Sequence, residues 1–341
     1  MLDDLKKIHQ ADPEDALGIA AKQTSQLNQK FDLDIEPSEI LNIVVAGMGG
    51  SALAAMVARS WLDLSVPFEI VRGYNTPAYV GKKTLFIASS YSGNTEETLS
   101  VLERAEQLGA IIVVVAAGGK LEAVASEKGY LFLRLPAGFE PRQVFMVSLK
   151  ALLRIFDGYG LTEDSTKTLT ALLPQINQHI DEWLPTVATK DNLAKQIALE
   201  CIGRSVVIYA GPVLAPAAYK WKIAFNENAK QVAWFGQYPE FNHNEFTGWT
   251  KQPVVKPYAV IDLLSSFEHP RIQKRMAVSE RMLSGKRPQP IKVTCQGETV
   301  LEQLLYAFCL GDFVTIYTAI LNGVDPTPVE LVNKFKQQMG D

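Results

Sequence analysis

The same local order appears twice in the chain. "NIVVAGMGGSALAAMVARSWL" (Asn42 to Leu62) is a short β-branched run, a glycine-rich turn and an alanine-rich helix, and "SVVIYAGPVLAPAAYKWKIAFNENA" (Ser205 to Ala229) repeats it. A strand that is apolar along its whole length is buried on both faces, and a helix directly after it supplies the crossover that a parallel neighbour needs. Further runs continue the alternation: "PFEIVRG", "TLFIASS", "AIIVVVAAGG" and "LFLRLPAG" follow the first unit, "YAVIDLL" and "IKVTCQG" the second. The pattern predicts an α/β fold of two doubly wound parallel sheets with helices on both faces. A helix over "FMVSLKALLRI" ends near Ile155, and the polar "DGYGLTEDSTKT" after it marks a boundary. The expected domains are 1–155, with an N-terminal helix, and 156–341, with a C-terminal helix.

Composition fits two cores. The 341 residues are 47% hydrophobic and 21% charged, enough for two domains of ordinary size. A formal charge of -4, from 33 basic and 37 acidic residues, gives no electrostatic footprint for nucleic acid or an anionic membrane, so the expected partner is small. The N-terminus "MLDDLKKIHQADPED" has no apolar leader segment, and no run of about 18 apolar residues is expected to span a membrane. The expected location is cytoplasmic. Cys201, Cys295 and Cys309 are too widely spaced for a disulfide framework or a structural zinc site.

"SSYSGNTEET" (Ser89 to Thr98) places hydroxyls between a buried strand and a helix N-terminus. Strand-to-helix junctions use such residues as turns and caps, but backbone N–H groups, hydroxyl donors and the positive helix end together also form a cup for phosphate. Ser51, Ser90, Ser92 and Thr95, with Gly49 and Gly50 in the preceding turn, are the expected ligands. The loop has no Lys or Arg and no P-loop pattern, which favours a phosphate monoester over a nucleotide. "AGMGGSA" does not supply GxGxxG, so NAD is not expected. The second copy reads "AGPVLAP", without the serine and paired glycines, which assigns phosphate to the first domain.

"GMGGSA", "SYSGNTEET" and "GFEPRQ" resemble the sugar isomerase (SIS) domain. "FNENAK", "YPEFNHNEFTGW" and "GDFVTIYTAILNGVDPTPV" resemble the bifunctional phosphoglucose/phosphomannose isomerase family, which has two SIS domains, and the likeness covers nearly the whole chain. It implies interconversion of glucose 6-phosphate, and mannose 6-phosphate, with fructose 6-phosphate, an activity of glycolysis and gluconeogenesis. That reaction opens the ring and moves a proton between C1 and C2 through a cis-enediol. One carboxylate can serve both transfers. Glu227 in "FNENAK" is the candidate base, although a helix-end Glu is the alternative from the residues alone. His243, the one of four histidines in a polar loop, is the candidate ring-opening acid. The resemblance implies that it comes from the neighbouring subunit of a homodimer. Arg142 could stabilise the enediolate, or pair with Glu140. Thr327 and Lys334, seven apart, are expected on one face of a helix beginning near Pro328. The resemblance implies a lysine here that assists ring opening or closing, and a threonine that makes room for both epimers. Lys336 is the alternative lysine. Four scattered histidines without HxH or HExxH spacing imply a reaction with no metal and no cofactor. A non-catalytic sugar-phosphate sensor would need neither Glu227 nor His243, and would bring an output domain that the chain does not display.

Overall fold

The computed structural model describes residues 1–36, 38–251 and 257–339. They form two compact units, each built on one parallel sheet. The first comprises Gln23–Leu173 with the C-terminal segment from Glu330. Its strands are β1 (Asn42–Ala46), β2 (Phe68–Val71), β3 (Thr84–Ser89), β4 (Ile111–Ala116) and β5 (Leu131–Arg134), in the order β2-β1-β3-β4-β5. Pairing is parallel throughout, with Val44 opposite Phe86 and Ala88 opposite Val114. Alternate residues Val44, Ala46, Phe86, Ala88, Val114 and Ala116 form one face, covered by Val101, Leu102 and Ala105 of the helix Glu96–Gln107 and by Leu121 of the helix Gly119–Lys128. The helix Gly50–Trp61 belongs to the crossover running the other way and packs on Phe145–Gly158. Each fully buried Val, Leu or Phe in such a core contributes about 1.5–3 kcal/mol.

The second unit comprises Met1–Lys22 and Pro174–Val329. Its strands are β6 (Ser205–Ala210), β7 (Ala233–Gln237), β8 (Tyr258–Leu264) and β9 (Ile291–Thr294), in the order β7-β6-β8-β9, again all parallel. The edge strand β7 was not expected from the sequence. Its apolar run "VAWF" is only four residues long and is followed at once by Gly236 and Gln237, and Trp234, Phe235 and Gln237 are exposed at the sheet's edge. The helix Val300–Asn322 packs on Leu193–Cys201 and Ala215–Glu227, and Trp221 Nε1 donates to the Ala307 carbonyl at 2.7 Å. By length and composition alone this helix could cross a membrane. Yet 89% of its most apolar stretch is buried, so it serves as a core helix.

The units do not follow chain order, and the division 1–155/156–341 is revised at both ends. The first 22 residues join the second sheet. Lys195 is fully buried there, and a buried ammonium needs partners. Its Nζ donates to the carbonyls of Pro185 (2.8 Å) and Val187 (2.7 Å) and lies 3.2 Å from Asp3 Oδ1. Thr189 donates to the same Asp3 oxygen from N and from Oγ1, both at 2.8 Å. The C-terminal helix, Glu330–Met339, falls instead with the first unit, and the break between the sheets lies at 173/174.

Candidate active site

In the first unit the strand order reverses between β1 and β3, and the crevice beyond their C-terminal ends is where doubly wound sheets bind ligands. Both candidate loops meet there. Tyr91 N donates to Ser51 Oγ at 3.1 Å, and Ser89 Oγ donates to the Ser51 carbonyl at 3.1 Å. Gly49 is the N-cap of Gly50–Trp61 and Thr95 the N-cap of Glu96–Gln107, and neither helix receives a hydrogen bond from its cap side chain. Two helix N-termini thus present first-turn N–H groups and positive dipole ends to one crevice. Ser90 Oγ lies 2.7 Å from Thr95 Oγ1 and accepts from Gly93 N at 3.2 Å; Ser92 Oγ accepts from Asn94 N at 3.2 Å. Ser90 is only 2% exposed, whereas Ser92 is open to solvent.

Arg142 belongs to the same crevice. A Cβ on Gly50 would stand 2.9 Å from the Pro141 carbonyl oxygen, so glycine lets the Pro141–Gln143 turn approach the helix start. Arg142 is 5% exposed, with Nη1 3.4 Å from Glu140 Oε2. Sequence reasoning overlooked Tyr91, whose OH donates to the Pro136 carbonyl (3.0 Å) and accepts from Phe139 N (3.0 Å), tying the serine loop to the Arg142 segment. Burial raises its pKa.

Glu227 is the last residue of the helix Ala215–Glu227 in the second unit. Its neighbours spend their side chains on holding the chain. Asn226 Oδ1 accepts from Ala233 N (3.0 Å), and buried Asn228 donates to Thr315 Oγ1 (2.9 Å). Gln231 Nε2 donates to the carbonyls of Cys201 (2.7 Å) and Arg204 (2.6 Å). Lys230 Nζ donates to the carbonyls of Glu227 (2.8 Å) and Asp325 (2.7 Å). Asp325 Oδ1 in turn accepts from Thr327 N at 2.9 Å, so Glu227 and Thr327 stand on backbone segments joined through Lys230. Thr327 is buried and lies three residues before the C-terminal helix, which starts at Glu330 rather than near Pro328. The helical spacing to Lys334 therefore does not apply. Lys334 is exposed and sits 3.9 Å from Glu330.

His243 ends the 3-10 turn Glu240–His243 and is exposed on a firmly held loop. Tyr238, Phe241 and Trp249 are buried with Tyr209 and Val260, and Asn242 Nδ2 donates to Ser279 Oγ at 2.7 Å. Trp249 Nε1 donates to Tyr209 OH at 2.9 Å, and that hydroxyl donates to Glu245. The structure does not bring His243 to Glu227. The helix Ala215–Glu227 runs about 18 Å back from the C-terminal end of β6, and β7 then climbs about 13 Å before the His243 loop begins. The two side chains stand at opposite ends of the second sheet.

The crevice at the second sheet's own switch point, between β6 and β8, holds a buried carboxyl group. Glu268, 4% exposed, accepts through Oε1 from Val213 N (2.8 Å) and Leu214 N (3.4 Å) at the start of the helix Ala215–Glu227. A Cβ on Gly211 would stand 2.3 Å from its carboxyl carbon. Burial raises the pKa of Glu268 against the lowering pull of those N–H groups. A missed repeat carried this signal. "SSYS" at the end of β3 resembles "SSFE" after β8, which sets Glu268 in the loop that corresponds to the one carrying Ser92 in the first unit. Among the described residues, no group of three or more His, Cys, Asp or Glu side chains could hold a metal ion. Cys201, Cys295 and Cys309 are buried free thiols.

Residues 36–132 match the SIS domain model and residues 190–339 match the bacterial phospho-glucose isomerase C-terminal SIS domain model, so fold and crevices define a protein of two SIS domains. The chain is similar to a bifunctional phosphoglucose/phosphomannose isomerase of Caldicellulosiruptor bescii, with 31% identity over 93% of this chain and 94% of that one. It belongs to the bifunctional phosphoglucose/phosphomannose isomerase family. A D-glucosamine-6-phosphate 4-epimerase of Sulfolobus acidocaldarius is 35% identical over a shorter span, 64% of this chain and 70% of its own. The crystal structure of a glucose-6-phosphate isomerase like protein from Thermus thermophilus superposes with a TM-score of 0.69 over 98% of both chains at 18% identity, a likeness of fold.

Proposed function

We propose that the chain interconverts glucose 6-phosphate, and mannose 6-phosphate, with fructose 6-phosphate through a cis-enediol, without a metal. The observation that carries this is Glu227, a carboxylate whose flanking residues Asn226, Asn228, Lys230 and Gln231 all direct their side chains to holding the main chain around it. Such support suits a group that must take a proton from one carbon and return it to the next. The phosphate is held by Ser51, Ser90, Ser92 and Thr95 with N–H groups of the two uncapped helices. Arg142 stabilises charge on the enediolate oxygens. His243 protonates the ring oxygen, Lys334 assists ring opening or closing, and Thr327 leaves room for either C2 epimer. The placement of Glu227 and His243 at opposite ends of one sheet supports a homodimer in which His243 serves the base of the neighbouring copy. The cytoplasm, where hexose phosphates are metabolised, is the compartment this activity fits.

The test is a coupled assay with each hexose 6-phosphate and with fructose 6-phosphate, with and without chelator, and with glucosamine 6-phosphate as an added substrate. Glu227→Gln should abolish exchange of the C2 proton with solvent and lower kcat by about 10²–10⁴. Loss of activity on chelation, restored by zinc, would refute the metal-free chemistry. Mixed dimers of Glu227→Gln and His243→Ala chains, confirmed by mass spectrometry, should recover activity; heterodimers without it would refute the shared site.

A further inference from the structure

Lys230 has φ +51°, a left-handed conformation unusual for a residue with a side chain and one that Gly or Asn adopts more cheaply. A lysine kept there is explained by what its ammonium reaches. Nζ donates to the carbonyl of Glu227, at the end of its helix, and to the carbonyl of Asp325, 95 residues further on. Both bonds are short, at 2.8 and 2.7 Å. Asp325 then fixes Thr327 N at 2.9 Å. An exposed lysine would ordinarily leave its ammonium in water, so two neutral carbonyls as partners indicate that the left-handed turn aims the side chain back across the helix end.

We propose that Lys230 is a positioning residue for the base: its ammonium clamps the main chain of Glu227 to the Asp325–Thr327 turn and so fixes where the carboxylate stands. This rests on the assignment of Glu227 as the proton shuttle. Displacing a catalytic group by about 1 Å costs on the order of 10²-fold in rate. Lys230→Met and Lys230→Gly should therefore lower kcat by roughly 10–100-fold with KM held within about twofold. Lys230→Arg, which can reach both carbonyls, should recover most of the rate. Glycine removes the left-handed strain, so if the ammonium's two bonds contributed nothing, Lys230→Gly would be at least as stable and as active as the wild type. Hydrogen exchange gives a second readout. In the Met and Gly variants the amides of Asn228–Gln231 and Asp325–Thr327 should open together. Wild-type kcat in both variants, or unchanged exchange at Asp325–Thr327, would overturn the clamp. A wild-type chain inactive on every hexose phosphate would instead sink the assignment of Glu227, and with it the positioning role, even where the exchange data show the two segments coupled.

Discussion

Truncating Glu268 to alanine removes the buried carboxyl group from the second sheet's crevice. The carboxylate is 4% exposed and makes one strong bond, to Val213 N at 2.8 Å, and one weaker bond, to Leu214 N at 3.4 Å. A hydrogen bond to a charged group contributes about 1.5–3 kcal/mol, and a buried N–H left without a partner costs about 1–3 kcal/mol. Part of this is offset because the carboxylate no longer has to be desolvated, so the net loss should be roughly 2–3 kcal/mol. The sign of its pH dependence is fixed. Burial raises the folded-state pKa of Glu268, so the folded chain binds this proton more tightly than the unfolded one. Its contribution to stability is then greatest below the unfolded pKa and declines as pH rises through the folded value. Glu268→Gln keeps the carbonyl acceptor and should remove that slope. The assay is urea unfolding at several pH values, combined with hydrogen exchange at Val213 and Leu214. Gly211→Ala provides a double-mutant cycle, because its new Cβ would collide with the Glu268 carboxyl group. It should destabilise the wild type clearly and the Glu268→Ala background much less. Additive effects, or a Glu268→Ala chain with wild-type stability and unchanged Val213 exchange, would refute the reasoning.

Asp262 is 2% exposed, and burial raises its pKa to about 6 despite Arg287 3.5 Å away. Stability should fall by about 3 kcal/mol as pH rises from about 4 to beyond 6, and Asp262→Asn should flatten that slope while costing about 3–5 kcal/mol at neutral pH by stranding the buried guanidinium; an unchanged slope in urea titrations would count against it. Ser92→Ala should raise KM for hexose phosphates with less effect on kcat, since phosphate is held alike in ground and transition states; steady-state kinetics with an unchanged KM would remove Ser92 from the cup. Ser90→Ala should in addition lower the unfolding midpoint, because Ser90 Oγ is buried against Thr95 and Gly93 N.

Much of the fold was legible because its cues are local. The β-branched runs at Asn42–Ala46, Thr84–Ser89, Ile111–Ala116 and Ser205–Ala210 are strands wherever they are buried on both faces, and the glycine turns after two of them can only lead into helices. The serine loop was legible for the same reason, whereas Glu227 in "FNENAK" stood out only through the family resemblance. β7 was not legible, since its apolar run is only four residues long and Gly236 and Gln237 follow it directly. Glu268 was visible only as a repeat of "SSYS" in "SSFE", and its meaning depends on the N–H groups it meets.

The two parallel sheets, the hydroxyl-rich loop at the end of β3 and the family could all be read from the residues in order. Which segments build each unit, and where the candidate base and acid stand, emerged only from the folded chain. Asp3 belongs with Lys195, 192 residues away, because a buried ammonium must find an anion and local periodicity holds no record of which one. Thr327 leaves the helical face it shares on paper with Lys334 because its segment is tied to Glu227 through Lys230. Glu227 and His243, only 16 positions apart, stand at opposite ends of the second sheet because the helix that ends in Glu227 runs down from β6 and β7 climbs back up before the His243 turn. Sequence distance does not measure separation once the chain reverses, and the register of helix against strand is set by packing.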